Sequence, residues 1–249
     1  MPKNNSVTPK NLSIGLVLLA ITTVLSAPLS AQETFSALVI QSQGIAKVQR
    51  DGKELPAKKD MLISSGDVII TKAGAQVGLQ FAGGISCSIG PDSEVKVEKL
   101  LRENEKRQIT LGIKKGSLIN RARVSEGQAL DMQVNGTTLI AAVRGTEFAV
   151  ESNGDSESSI AVNEGSVVVN GTNDAKNGIK DVTLKAGEKI RASFDEAKQA
   201  IMDARDKARF EILEKLESMK KAQFEAFTEQ VRKNEALREQ MRNRILNPN

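Results

Sequence analysis

An all-β domain followed by one long helix is the fold class the sequence predicts, and three observations predict it. From about Phe35 to Ala192, apolar and polar residues alternate in short runs, the period-two pattern of half-buried strands. Dipeptides suited to tight turns interrupt those runs at short intervals. Beyond Ser193 neither Gly nor Pro occurs until Pro248, and acids and bases alternate along an amphipathic stretch.

The chain opens with a segment that does not read as part of the fold. Lys3 and Lys10 make a positive leader without an acid, Leu12 to Leu25 is uncharged and mostly apolar, and "SAPLSA" closes the segment with small residues. That layout predicts a secretory signal over residues 1–31, cut between Ala31 and Gln32. An uncleaved anchor is the alternative reading, but the apolar run is short beside the ~20 residues a bilayer span needs. No integral membrane segment is expected after cleavage.

Residues 32–192 carry the strand grammar. "ALVIQSQGIAKVQ" places two apolar runs around a glycine turn, and "GDVIITKAGAQVGLQF" and "SEVKVEKL" alternate along their length. Turns are expected at Asp51-Gly52, Gly83-Gly84, Gly90-Pro91, Asn135-Gly136, Asn153-Gly154, Asn170-Gly171 and Asn177-Gly178. Asn-Gly and Asp-Gly favour type I′ hairpins, whose two central residues both take positive φ. So many tight turns predict a mainly antiparallel sandwich, roll or solenoid-like domain. Its core would be Val, Ile, Leu and Ala, with Phe81 and Phe148 almost its only aromatics.

For residues 193–249 the sequence predicts a helix. "SFDE" has the form of a capping box, with Ser193 as N-cap and Glu196 three residues on. A continuous helix over 194–246 is about 80 Å long. Asp203–Lys207, Glu211–Lys215, Glu217–Lys221 and Glu229–Lys233 are acid-to-base pairs at i,i+4. Ile201, Ala208, Ile212, Met219 and Leu237 fall on one stripe, whereas Phe210, Leu213, Phe224 and Val231 form a second apolar face. One reading folds the first part of the helix back on its own β domain. The other makes it a coiled-coil-like arm, with Phe210, Leu213, Phe224 and Val231 as its interaction face for an envelope protein or a second copy.

Composition removes several kinds of chemistry. The chain has no histidine, so neither a His-based triad nor an imidazole-held zinc site can be built. No G-x-S-x-G elbow, phosphate-binding loop or Asp-rich calcium loop is present. Trp and Tyr, which stack on sugars, are absent. No catalytic residue, cofactor or metal site is expected. The formal net charge is +4, and two of those charges leave with the leader, so nucleic acid is not an expected partner. Cys87, the single cysteine, stands in the alternating run "ISCSIG" and reads as a small buried hydrophobe.

The stretch "TTLIAAVRGTEFAV" interrupts strand-forming residues with Arg144-Gly145-Thr146 and then resumes them. Val143, Arg144, Gly145, Thr146 and Phe148 therefore read first as a structural motif. Gly145 would take positive φ in a bend between two core strands. Thr146 would cap backbone groups there, and Arg144 would bond carbonyls or Glu147. A ligand or partner contact by Arg144 is the alternative.

Several segments, in order, resemble the FecR domain of bacterial envelope proteins. They are "ISSGDVIITKAGAQVGLQFAGG", "GPDSEVKVEKL", "IKKGSLINRA", "TTLIAAVRGTEFAV", "VNEGSVVV" and "VTLKAGEKI". Gly83 stands where the family pattern has an acid in a D-G turn. Prototypes of that family sit in the inner membrane. A cytoplasmic segment grips an extracytoplasmic-function sigma factor, and a periplasmic domain receives a signal from an outer-membrane transporter. Only about ten residues precede the apolar run here, so the sigma-gripping segment is not expected.

The resulting expectation is an exported, periplasmic, non-enzymatic envelope protein whose FecR-like domain serves as an interaction or scaffold module, with the helix as a docking or oligomerisation arm. A signal-relay component of a FecR-type system is the alternative, and a carboxylate-based ligand-binding or catalytic domain is a third. N-terminal sequencing of the exported protein should return Gln32 as the first residue; material that begins at Met1 would contradict the leader.

Overall fold

The computed structural model describes residues 33–104, 106–123, 129–143 and 145–222, with positions 225, 229 and 233. Short strands come first: β1 (Glu33–Thr34), β2 (Ala37–Gln43), β3 (Ala46–Arg50), β4 (Lys53–Pro56), β5 (Leu62–Ile63), β6 (Val68–Thr71), β7 (Gln76–Gln80), β8 (Ile85–Ile89) and β9 (Glu94–Glu103). The central strand β10 (Lys106–Ala122) is 17 residues long. Eight more follow: β11 (Ala129–Asn135), β12 (Leu139–Val143), β13 (Glu147–Ser152), β14 (Glu157–Glu164), β15 (Ser166–Gly171), β16 (Val182–Lys185), β17 (Glu188–Ser193) and β18 (Ala197–Ile201). A short helix α1 (Ala204–Ala208) and, after a turn, the helical residues 211–222 (α2) close the described chain.

Pairing divides the strands into two sheets. Sheet 1 runs β4-β3-β6-β9-β10-β11-β12-β15-β16, with β1 also on β9. Sheet 2 runs β5-β2-β7-β8-β10-β13-β14-β17-β18. All pairs are antiparallel except β10–β11. β10 belongs to both sheets. Its first part pairs with β9 and β11, and from Gly116 on it pairs with β13, joined by β8 from Leu118. Its second half carries the chain away to sheet 2, which lets β11 return alongside the first half in the same direction.

The change of sheet explains Gly116. Its φ is +94°, and a Cβ there would lie 2.1 Å from Ser93 Oγ and 2.5 Å from Ser93 Cα. No side chain fits without moving backbone. Ser93 uses this closeness: its hydroxyl donates to the Gly90 carbonyl at 2.9 Å and accepts from the Ser117 amide at 3.1 Å. Other crossings between the sheets also pass through left-handed backbone, at Gly44, Gly66, Gly74, Gly165 and Gly187, and at Asp92.

Inward residues of both sheets form one apolar cluster. It includes Val48, Ile69, Val97, Leu111, Val134 and Val167 from sheet 1, and Val39, Leu79, Cys87, Leu118, Val150 and Ile190 from sheet 2. Phe81 and Phe148 are fully buried in it. Burial pushes the Cys87 thiol far above its ordinary pKa, so it stays a neutral hydrophobe. One polar side chain, Asn120, also points inward between Cys87 and Phe148, and its Oδ1 has no hydrogen-bond partner.

The turns are partly as expected. Asp51-Gly52 joins β3 to β4 with both residues at positive φ, and Gly83-Gly84 joins β7 to β8 likewise. Gly90, Gly136 and Gly171 do not take positive φ, so those three dipeptides turn the chain by other geometry.

The helix start is corrected. Ser193 does not cap a helix; it ends β17, and residues 194–196 turn the chain back into β18. The Ser193 hydroxyl accepts from the amides of Asp195 and Glu196, at 3.3 and 3.1 Å, while its own amide donates to the Glu196 carbonyl at 2.9 Å. A serine oxygen that can cap a helix can equally close a hairpin turn. The capping box falls at Asp203 instead. Its carboxylate accepts from the Asp206 amide at 2.9 Å, and the Asp206 carboxylate accepts from the Asp203 amide at 3.0 Å. A single helix from residue 194 is thereby excluded, and Ile201 lies on a strand rather than on a helical stripe.

Gly116→Ala should cost more than about 3 kcal/mol, because it meets both forbidden backbone and occupied space. Gly145→Ala should cost only about 1 kcal/mol, from backbone strain alone, and Gly145→Val more. Urea titrations at constant m value rank the three; equal costs for Gly116→Ala and Gly145→Ala would contradict the role given to Gly116.

Candidate functional site

The outer face of sheet 2 is where the two parts of the chain meet. Strand alternation points Leu118, Val150 and Ile160 into the core and leaves Ile119, Ala149 and Ala161 on the outside. Met202, Phe210 and Leu213 pack on these three, with Ile212 beside them. Further along, Leu216 is buried above Gly78 of β7, where a Cβ would lie 2.6 Å from Leu216 Cδ2. The glycine is a seat for the leucine. Burying Phe210, Leu213 and Leu216 stabilises this contact by roughly 1.5–3 kcal/mol each.

Two groups of ion pairs flank the apolar contact. Arg121, on the outer face of β10, is only 4% exposed and donates from Nε to Glu147 Oε1 at 2.7 Å. Its other nitrogens reach α2: Nη1 donates to the Leu213 carbonyl at 3.4 Å, and Nη2 donates to the Glu214 carboxylate. Glu147, 6% exposed, also accepts from Arg123 at 3.1 Å and from Asn163 Nδ2 at 3.1 Å. Arg123 donates in turn to Glu164 at 2.6 Å. That bond holds the Glu164 carboxyl below its usual range and raises the Arg123 guanidinium.

The second group fixes α1. Lys189 of β17 binds both Asp206 and Asp203, and the bond to Asp206 is the main cause of its raised pKa. Arg209 donates to Glu151 at 2.7 Å. The Asp206 amide, followed by Lys189, holds the Asp203 carboxyl below its usual value. Lys189 and Arg209 thereby join α1 and the turn after it to the strands beneath. Such pairs orient the docked helix, while the apolar contact supplies most of the attraction.

The motif residues serve the fold around this site. Val143 ends β12 in sheet 1, Glu147 begins β13 in sheet 2, and Gly145 between them has φ +68° with open space where a Cβ would stand. Phe148 is core. Thr146 does not cap with its side chain: its buried hydroxyl has no partner, and its backbone carbonyl accepts from the Ala122 amide at 2.8 Å. Arg144 lies outside the described residues, and Arg121, Arg123 and Asn163 hold Glu147.

The expected arm face is redistributed. Phe210 and Leu213, expected to await a partner, are buried against the chain's own sheet. Their spacing with Leu216 is that of one helical face, and Ile119, Ala149 and Ala161 give that face a complementary surface. Phe224 and Val231 lie outside the described residues, as do Ala31 and, with it, Gln32. Sequence reasoning missed Arg121 and named Glu147 only as a partner for Arg144. The available signal was Arg121-x-Arg123 at the end of an alternating strand, which sets two cations on one face.

The segment from β6 to β15, with Gly116, the Gly145 corner and the Arg121–Glu147 pair, coincides with a known pattern: residues 67–168 match the family model described as FecR protein. Over these residues the chain is similar to FecR proteins. The matched residues span parts of both sheets, whereas β1–β5, β16–β18 and the helices lie outside them. No curated protein matches the chain. Two solved structures of a protein from Parabacteroides distasonis assigned as an anti-sigma factor are similar, each at 16% identity. Their TM-scores are 0.44 and 0.45, with 55% and 57% of this chain covered. The matches take in 61% and 63% of those chains, about three fifths of their length.

Glu147→Ala should destabilise the protein by about 3 kcal/mol, because it leaves a buried guanidinium short of a partner. Arg123→Ala, which removes an exposed cation, should cost less than about 1 kcal/mol. Urea titration of the two variants checks the ranking, and a reversed order would contradict the buried pair as the organising one.

Proposed function

We propose that this chain is an exported, non-enzymatic regulatory module of the bacterial envelope, whose FecR domain works by binding another protein. The FecR match over residues 67–168 carries this reading. The geometry supports it in a second way: the charged side chains at the helix–sheet contact are taken up in pairs that position backbone and helix. Among the described residues no group of three or more potential metal ligands occurs, and no described helix is long and apolar enough to cross a membrane.

The scaffold or interaction role is the broader form of the proposal. Relay of an envelope signal toward a sigma factor is its more specific form, and the family match favours it. In either form the docked helix is part of the working surface, because the strands under it cannot meet a partner while Phe210, Leu213 and Leu216 cover them.

Deleting the gene and restoring it in trans tests both forms. A change in envelope-related transcripts that the wild-type copy reverses is the expected result. In-cell crosslinking from positions on the FecR domain should then recover a specific envelope protein. Unchanged transcripts would overturn the relay form, and crosslinking that returns no envelope protein would overturn the interaction role.

A further inference from the structure

Sheet 2 ends at β18, and that edge has the properties of a self-complementary interface. Register fixes which groups of β18 face outward. The Ser193 amide donates to the Glu196 carbonyl at 2.9 Å, and the Met202 amide donates to the Gly187 carbonyl at 2.7 Å. Alternation along an antiparallel pair then assigns Lys198 and Ala200 to the ladder with β17. Ala197, Gln199 and Ile201 turn their amides and carbonyls to the free edge.

That edge is open. Residues 198–201 are exposed, and Ile201 is 72% exposed, the highest value among the exposed large hydrophobic residues that the structure describes. β18 holds no proline and no bulge, two features that commonly block pairing at an edge. The other sheet ends differ: β4 finishes in Pro56, β5 has two residues, and β16 has four.

We propose that two copies of this chain pair antiparallel along β18, centred on Gln199, so that sheet 2 continues from one copy into the other. In that register Gln199 faces Gln199 of the second copy, and Ala197 faces Ile201 in both directions. All outward amides and carbonyls of the three residues are then satisfied. On the outer face Lys198 stands opposite Ala200 rather than another cation. This matters because Lys198 already lies directly across from Arg191 within the sheet, and like charges at that position repel. A slip by two residues one way sets Lys198 against Lys198. The opposite slip runs Ala197 into Asp203 at the helix cap. Charge and helix start together select one register. The exposed Ile201 side chain gains cover from Ala197 of the other copy at the open end of the core.

Sedimentation velocity of the purified protein over a wide concentration range tests the proposal. Wild type should pass from monomer to dimer as concentration rises. Gln199→Pro should weaken the dimer by about tenfold or more, because it removes an outward amide. Its internal ladder with β17 does not use that amide, so circular dichroism should be unchanged. Ala200→Glu should tighten the dimer by facing Lys198 of the second copy, and Ala200→Lys should loosen it. A monomer at every concentration would overturn the proposal. So would a dimer indifferent to a folded Gln199→Pro, or one that Ala200→Glu and Ala200→Lys shift in the same direction.

Discussion

The bend of β10 at Gly116 is the constraint on which the rest of the structure depends. One strand serves both sheets, with strands paired on each side of it in each, and it can do so only by leaving one plane for the other within a residue or two. Left-handed backbone makes the departure possible, and the missing side chain lets Ser93 close against it. Ser93 then ties the corner to Gly90 and Ser117, so the bend is held by hydrogen bonds as well as permitted by glycine. Because β10 lies between β9 and β11 on one side and between β8 and β13 on the other, displacement of this strand would disturb both sheets at once.

The same strand sets up the contact with the helices. Residues before and after the bend alternate in and out of the core, so Ile119 and Arg121 reach the outer face of sheet 2 while Leu118 and Ala122 stay inside. Arg121 then joins three elements: β10 that carries it, β13 through Glu147, and α2 through Leu213 and Glu214. The Gly145 corner delivers Glu147 to that position. The motif around Gly145 thus acts at one remove: its bend places the carboxylate that holds the arginine that holds the helix. This chain of contacts connects the FecR pattern to the additional C-terminal elements.

Local features were legible in the sequence. Alternation identified the strand region, Asp51-Gly52 marked a hairpin, and the isolation of Gly145 among strand formers marked a bend. Phe81 and Phe148 could be assigned to the core because few other large residues were available to fill it. Non-local features were not legible. Arg121 and Glu147 are 26 residues apart, and Arg121 and Glu214 are 93 apart, so no local pattern pairs them. The parallel β10–β11 pair depends on where the second half of β10 goes. Ser193 shows a different limit, since Ser-x-x-Glu satisfies the same amides in a hairpin turn as in a helix start. The helix faces were misassigned for a related reason: periodicity reveals that Phe210 and Leu213 share a side, but only the outward residues of sheet 2 decide what that side covers.

If β10 joins the two sheets into one cooperative unit, its amides should report on the whole domain. Native-state hydrogen exchange measured against low concentrations of denaturant tests this most directly. The account predicts that the amides of Leu118–Ala122 exchange only through global unfolding, with the same free energy and denaturant dependence as the paired amides of β9 in sheet 1 and β13 in sheet 2. Two separate isotherms, with sheet 1 opening at a lower free energy while sheet 2 stays protected, would contradict it.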